Sequence, residues 1–150
     1  MAHSPHHTLH AWMDVFMHRS MRGWNHFAKS AGLSMPQFSI LMQLHHKGSC
    51  GVSEISERFD ITNAAASQLV DKLVQSGLLE RAEHPADRRA KVLSLTAQGQ
   101  SLVEQGFQER HRWLEELVGS LSTEEKVKVG EALTILTAAA RKLEITNPKS

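Results

Sequence analysis

Apolar residues recur at three-and-four spacing in several separate stretches of the chain, the period of amphipathic helices. Leu9, Trp12, Met13, Phe16, Met17, Trp24, Phe27, Ala28 and Ala31 mark a first helix with one oily face, which Gly32 ends. Ser34 and Gln37 then stand three apart, so each side chain can satisfy the other's free backbone amide as a capping box. Pro36 falls in the first turn, where its missing N–H costs little. Phe38, Ile40, Leu41 and Leu44 carry this second helix to about His46, and Lys47-Gly48 stops it. Ser49-Cys50-Gly51-Val52 is short enough for one small strand, after which Ser53 is placed to cap a brief helix running to Phe59. Asp60-Ile61-Thr62 makes a tight turn. Thr62 or Asn63 can cap the next helix, Ala64 to Ser76, whose Ala65, Leu69, Val70 and Leu73 supply its buried side before Gly77 closes it.

After Gly77 the helical period gives way to alternation. Leu79, Arg81 and Glu83 answer Val92, Leu93 and Leu95 across His84-Pro85-Ala86-Asp87, which predicts a hairpin. Thr96 caps a long helix with Leu102, Val103, Phe107, Trp113, Leu114, Leu117 and Val118 on its apolar side. A second capping box, Ser122 with Glu125, opens a last helix through Val127, Leu133, Leu136, Ala139 and Leu143. The fold class is therefore mainly α with a small β-hairpin wing, a winged helix-turn-helix in a single domain over 1–150.

Two helices joined by a short turn and followed by a hairpin can meet B-DNA, the second helix in the major groove. Its first turns offer Thr62, Asn63, Ala64, Ala66, Ser67 and Gln68, small or short polar groups that let the backbone approach base edges. Asn63 and Gln68 carry the donor and acceptor that match adenine, and Ala66 can touch a thymine methyl. At the hairpin tip Asp87, Arg88 and Arg89 follow Pro85-Ala86, and arginine on such a tip can enter a narrow minor groove. Each piece alone has a bland reading, a favourable helix start or a solvated charged turn; their order along the chain favours DNA.

Charge tempers this expectation. The chain carries a formal net charge of only +1, and from Ser53 to Lys91 six Lys or Arg face seven Asp or Glu. Non-specific affinity should be modest, because duplex DNA needs positive groups to release its counterions. Binding must depend on where Lys72, Arg81, Arg88, Arg89 and Lys91 point, or on dimerisation doubling a weak contact.

Val70-Asp71-Lys72-Leu73, Gly77-Leu78-Leu79-Glu80-Arg81, Asp87-Arg88-Arg89 and Val92-Leu93-Ser94-Leu95-Thr96-Ala97-Gln98-Gly99 follow one another in the order and spacing of the MarR family of regulators. Leu33-Ser34-Met35-Pro36-Gln37-Phe38-Ser39-Ile40-Leu41 resembles that family's second helix, and the likeness spans about residues 9–145. The resemblance implies a homodimer in which helices at about 9–33 and 97–145 interlock, leaving two winged modules, each about 34–96, to reach successive major grooves of a pseudo-palindromic operator. It also implies that Asp87 holds Arg89 for the minor groove and that Ser67 faces DNA. The Ala64-Ala65-Ala66 run departs from the usual pattern and leaves few base hydrogen bonds. A sequence-specific transcriptional regulator follows, a repressor released by a small aromatic or phenolic effector. Trp12, Phe16, Trp24, Phe38, His45 and Trp113 are candidates to line the effector's pocket, although helical spacing also explains them as core.

Other chemistry finds little support. No glycine-rich phosphate loop, nucleophile motif or evident carboxylate pair suggests an enzyme, and no cofactor is expected. The lone Cys50 has no adjacent Lys, Arg or His to activate it, so redox sensing is not expected. His45, His46, His111 and Glu109 lack the spacing of a convergent metal set. His3, His6, His7 and His10 read as a frayed end or as a weak metal-binding tail. The start of the chain lacks the charged and apolar regions of a signal peptide, and no apolar run suggests a membrane span, which points to the cytoplasm. A winged-helix interaction module without DNA binding, or a zinc- or redox-responsive regulator, remains the alternative.

Overall fold

The computed structural model describes residues 4–146, with the side chains of 88–90 and 144–146 outside that description. The elements run α1 (Pro5–Ser30), α2 (Met35–Lys47), α3 (Val52–Phe59), α4 (Asn63–Gln75), β1 (Leu79–His84), β2 (Asp87–Leu95), α5 (Ala97–Ser120) and α6 (Thr123–Thr146). This is the expected order, with boundaries that differ where local chemistry outweighed pattern. The first helix begins at Pro5 rather than Leu9, because Pro5 sits in the first turn with its φ already set for helix. His6, His7 and His10 are thus helical, while His3 lies outside the described residues. The third helix starts two residues early: Glu54 Oε1 accepts from the Gly51 N–H at 3.0 Å, which sets the cap at Gly51 and leaves Ser53 inside the helix.

The other helix starts match the chemistry expected of them. Ser34 Oγ and Gln37 form the reciprocal box at α2, and Ser122 and Glu125 repeat it at α6, with contacts of 2.8 and 3.2 Å. The bonds from Ser122 hold the Glu125 carboxyl below its ordinary range. Thr62 Oγ1, not Asn63, caps α4 by accepting from the Ala65 N–H at 3.1 Å.

The chain packs as two units, residues 1–110 and 111–150. In the first unit, Ile40, Leu41 and Leu44 of α2 meet Ile55 of α3, Ala66, Val70 and Leu73 of α4, Leu79 of β1, Leu93 of β2 and Val103 of α5 in one core. Cys50 joins it through a two-way backbone bridge to Leu93, a single isolated bridge where the sequence allowed a short strand. The hairpin pairs Leu79 with Leu95, Arg81 with Leu93, Ala82 with Val92 and Glu83 with Lys91. A period of two therefore puts Val92 on the face opposite Leu93 and Leu95, which corrects the expected grouping of all three. In the second unit, the described residues of α6 are all exposed, Ile135 at 69% and Leu143 at 67% among them.

One junction ties α4, the wing and α5 together. Thr96 Oγ1 donates to the Gly77 carbonyl at 2.6 Å and accepts from the Gly99 N–H at 3.1 Å, while the Thr96 N–H donates to the Leu78 carbonyl at 3.2 Å. Gly77 turns the chain at φ +74°. A β-carbon on Gly99 would lie 2.1 Å from the Leu78 carbonyl oxygen, so only glycine admits α5 this close. Gly106 plays a similar part further along, where a β-carbon would come within 2.7 Å of the Phe38 ring. Replacing Gly99 by Ala should therefore destabilise the fold by about 1–3 kcal/mol, the usual cost of forced overpacking. Gly119→Ala, in open space on the same helix, should be neutral or stabilise by up to about 1 kcal/mol. Urea unfolding of the two variants measures the contrast.

Candidate nucleic-acid interface

Between Phe59, the last residue of α3, and Asn63, the first of α4, only Asp60, Ile61 and Thr62 intervene. Asp60 takes the left-handed conformation at φ 51°, which turns the chain sharply enough to bring α4 across α3. Ser56 Oγ, itself buried, lies 2.6 Å from Asn63 Oδ1 and 2.8 Å from the Ser53 carbonyl, so α3 grips the first residue of α4. Thr62 and Asn63 are exposed, but their acceptor oxygens already serve the turn.

The helical phase of α4 decides which of its small residues can face a ligand. Ala66 is fully buried, at 0% exposure, in line with Val70 and Leu73. It cannot reach a thymine methyl, and the expectation that placed it among the DNA contacts is corrected. Ala65, expected inside, is half-buried. The outward side carries Ala64, Ser67, Gln68 and Lys72, with Gln68 and Lys72 exposed and Ser67 half-buried. Gln75 extends that side by one more turn as a further exposed polar residue; its helical spacing from Gln68 and Lys72 was the available signal.

Alternation along β1 directs Arg81 to the same face as the buried Leu79. There its Nη2 binds Asp71 Oδ1 of α4. Arg81 is thus already committed to an ion pair that clamps the wing to α4. Lys91 is exposed and stands directly opposite Glu83 on the hairpin. At the tip, the Ala86 N–H donates to His84 Nδ1 at 3.1 Å, closing the two-residue connection to β2, where Asp87 is exposed. The backbones of Arg88 and Arg89 lie in β2, and their side chains fall outside the described residues.

The six aromatic candidates for an effector pocket are spread over several contacts. Trp12 and Phe16 have ring centroids 6.0 Å apart, and the Arg110 guanidinium stacks 5.7 Å from Phe16 and 4.8 Å from Trp24. Phe38 is buried edge-on against Phe27 at 5.6 Å. His45 Nδ1 lies 3.2 Å from Gln100 Oε1, with its ring 5.4 Å from Phe107. Trp113 is half-buried in the second unit. None of the six lines a cavity of about 640 Å³ that opens between α1, α2, the α3–α4 turn and α4. Met21, Met35, Phe59, Ile61 and Leu69 form its apolar wall, and Asn25, Gln68 and Lys72 supply polar groups. Because four separate elements assemble it, no local pattern in the sequence marks it.

Cys50 is buried; desolvation pushes its thiol up, and the Glu54 carboxylate adds to the effect. Both favour the unreactive thiol over the thiolate.

A helix pair joined by a three-residue turn, with an antiparallel hairpin clamped to the second helix, is a winged helix-turn-helix. The chain belongs to the MarR family, whose model matches residues 33–91. Among its relatives, the HTH-type transcriptional regulator YfiV of Bacillus subtilis is 35% identical over 71% of this chain and 67% of its own length. The HTH-type transcriptional repressor MdtR of the same organism is 31% identical over 79% of this chain and 76% of its own. The chain spans 61% and 66% of two further regulators. In three dimensions it is similar to the transcriptional regulator Tm0710 of Thermotoga maritima, with a TM-score of 0.83 and 24% identity over 90% of this chain and 94% of the other. It is also similar to a mutant of S. aureus MepR bound to an oligodeoxyribonucleotide, with a TM-score of 0.71 and 22% identity over 88% and 97%.

Two outcomes follow from the geometry. The Arg81–Asp71 pair is partly exposed, so a double-mutant cycle in urea should return a coupling of only about 0.2–1 kcal/mol. Cys50 should react with a thiol reagent roughly tenfold or more slowly in the native chain than in urea, as expected of a buried thiol.

Proposed function

We propose that this protein is a transcriptional regulator that binds duplex DNA sequence-specifically as a homodimer, and that it represses. The observation that carries the reading is the outward side of α4, with Ser67, Gln68 and Lys72, held by the Arg81–Asp71 clamp beside a wing that carries Arg88, Arg89 and Lys91. Short side chains on that helix let its backbone come near base edges, and the wing reaches the neighbouring groove. Thr62 and Asn63 contact DNA through whatever hydrogen-bonding capacity the turn leaves them. Asp87 orients Arg89 in this reading, and Arg81 acts indirectly by fixing the wing. MdtR's designation as a repressor supports the sign of control, and the MepR mutant bound to an oligodeoxyribonucleotide supports DNA as the partner.

Dimerisation is supported by apolar surface that the isolated chain leaves in water. On α1 the exposed residues include Leu9, Trp12, Met13 and Val15, and on α6 they include Val127, Leu133, Ile135, Leu136 and Leu143. These side chains are already partly covered, so burying the rest of each is worth roughly 1–2 kcal/mol, and covering several offsets much of the cost of association. Two copies double a contact that one near-neutral module makes weakly, and a two-fold dimer matches a pseudo-palindromic operator.

A small aromatic effector fits the cavity beside α4, whose volume lies within the range of small-molecule sites. Gln68 and Lys72 belong both to its lining and to the outward side of α4, so an occupant competes with DNA for them. The stacked set of Trp12, Phe16 and Trp24, with Phe38, His45 and Trp113, then serves packing. Among the described residues no helix is long and apolar enough to cross a membrane, and a regulator of this kind would act on DNA in the cytoplasm.

Fluorescence anisotropy on DNA flanking the protein's own coding region tests the central reading. Arg89→Ala should weaken operator binding by about 1–3 kcal/mol while the near-UV spectrum stays unchanged; indifference to the change would indicate an interaction module without DNA binding. Light scattering after gel filtration should give twice the 16.7 kDa chain mass, and a monomer at micromolar concentration would remove the two-half-site geometry.

A further inference from the structure

Ten histidines in 150 residues is a high count, and the interface described above uses none of those near the amino terminus. His6 and His10 lie one turn apart on α1 with their rings turned toward each other, centroids 4.4 Å and Nε2 atoms 3.3 Å apart. Without metal, one ring nitrogen can donate its hydrogen to the other. Two imidazole nitrogens bound at about 2.0–2.1 Å to one ion stand roughly 2.9–3.4 Å apart, according to the ion's geometry, so little rearrangement brings both rings onto one ion.

We propose that His6 and His10 form a two-imidazole site for a divalent metal ion such as zinc, which imidazole nitrogens bind readily. Residues 4–15 are all exposed, so water completes the coordination. Two protein ligands are fewer than the four of a structural zinc site or the three of a catalytic one, which makes this an exchangeable site. Its consequence is local: Ser4 at the start of α1 makes no side-chain cap, and an ion bridging positions 6 and 10 closes the first turns through the side chains instead. The helix so stapled also carries the exposed Leu9, Trp12 and Met13. The site stands independently of the DNA-binding reading.

Zinc sulfate titrated into the full chain tests it, by calorimetry and by NMR of the histidine ring nitrogens. The expected result is one zinc per chain, resonance shifts at His6 and His10, and affinity that falls tenfold or more in both His6→Gln and His10→Gln. His46→Gln, an exposed histidine on α2, should bind as the parent does. Undiminished binding by the chain carrying both substitutions would overturn the proposal, as would a loss confined to one of the two positions or no binding at millimolar zinc. Circular dichroism of each variant without metal should match the parent, since neither ring contributes to the core.

Discussion

The close approach of the Leu78 carbonyl to the α-carbon of Gly99 is the constraint from which the arrangement of the winged module follows. Any side chain at Gly99 would occupy the space of that oxygen, so α5 can leave the hairpin only along the path seen. Thr96 uses both capacities of its hydroxyl there, donating to Gly77 and accepting from Gly99. The end of α4, the start of β1, the end of β2 and the start of α5 therefore meet within a few residues. The Cys50–Leu93 bridge then ties the α2–α3 connection to the same sheet. A wing anchored in this way has little freedom to swing relative to α4, and the Arg81–Asp71 pair removes more.

This rigidity matters because the module has so little charge to spend. Seven acidic residues against six basic ones between Ser53 and Lys91 leave little general attraction to phosphate, so under the proposed function affinity comes from groups held where grooves pass. Asp71 cancels Arg81 locally, at the site of the clamp. The cations left to meet DNA in the proposed function are Lys72 on α4 and those of the wing, with Gln68 and Ser67 between them. Polar groups that the turn engages, at Ser56, Thr62 and Asn63, orient α4.

Much of this was legible in the sequence because the signals were chemical. Ser34 with Gln37, Ser122 with Glu125, Thr62, Thr96 and Gly77 each perform the capping or turning role that their residue types imply. The failures share a cause of another kind. Ala64-Ala65-Ala66 has no contrast in polarity, so its helical phase was set by tertiary packing, which turned Ala66 inward. Val92-Leu93 gives alternation no preferred phase, and the partner strand chose it. Glu54 outcompeted Ser53 at the start of α3 through an amide contact that pattern alone does not rank. Of the aromatic residues at helical spacing, Trp24, Phe38 and His45 contact Arg110, Phe27 and Phe107, and the cavity beside α4 arises only when α1, α2 and the α3–α4 region meet.

Amide hydrogen exchange during a titration with operator duplex tests most directly whether α4 and the wing act on DNA as one body. The expected result is that the first two turns of α4, about 62–70, and the wing, about 80–92, gain protection together with a single concentration dependence. Protection of only one of them, or separate dependences for the two, would contradict a recognition helix and wing joined rigidly through Thr96 and Gly99.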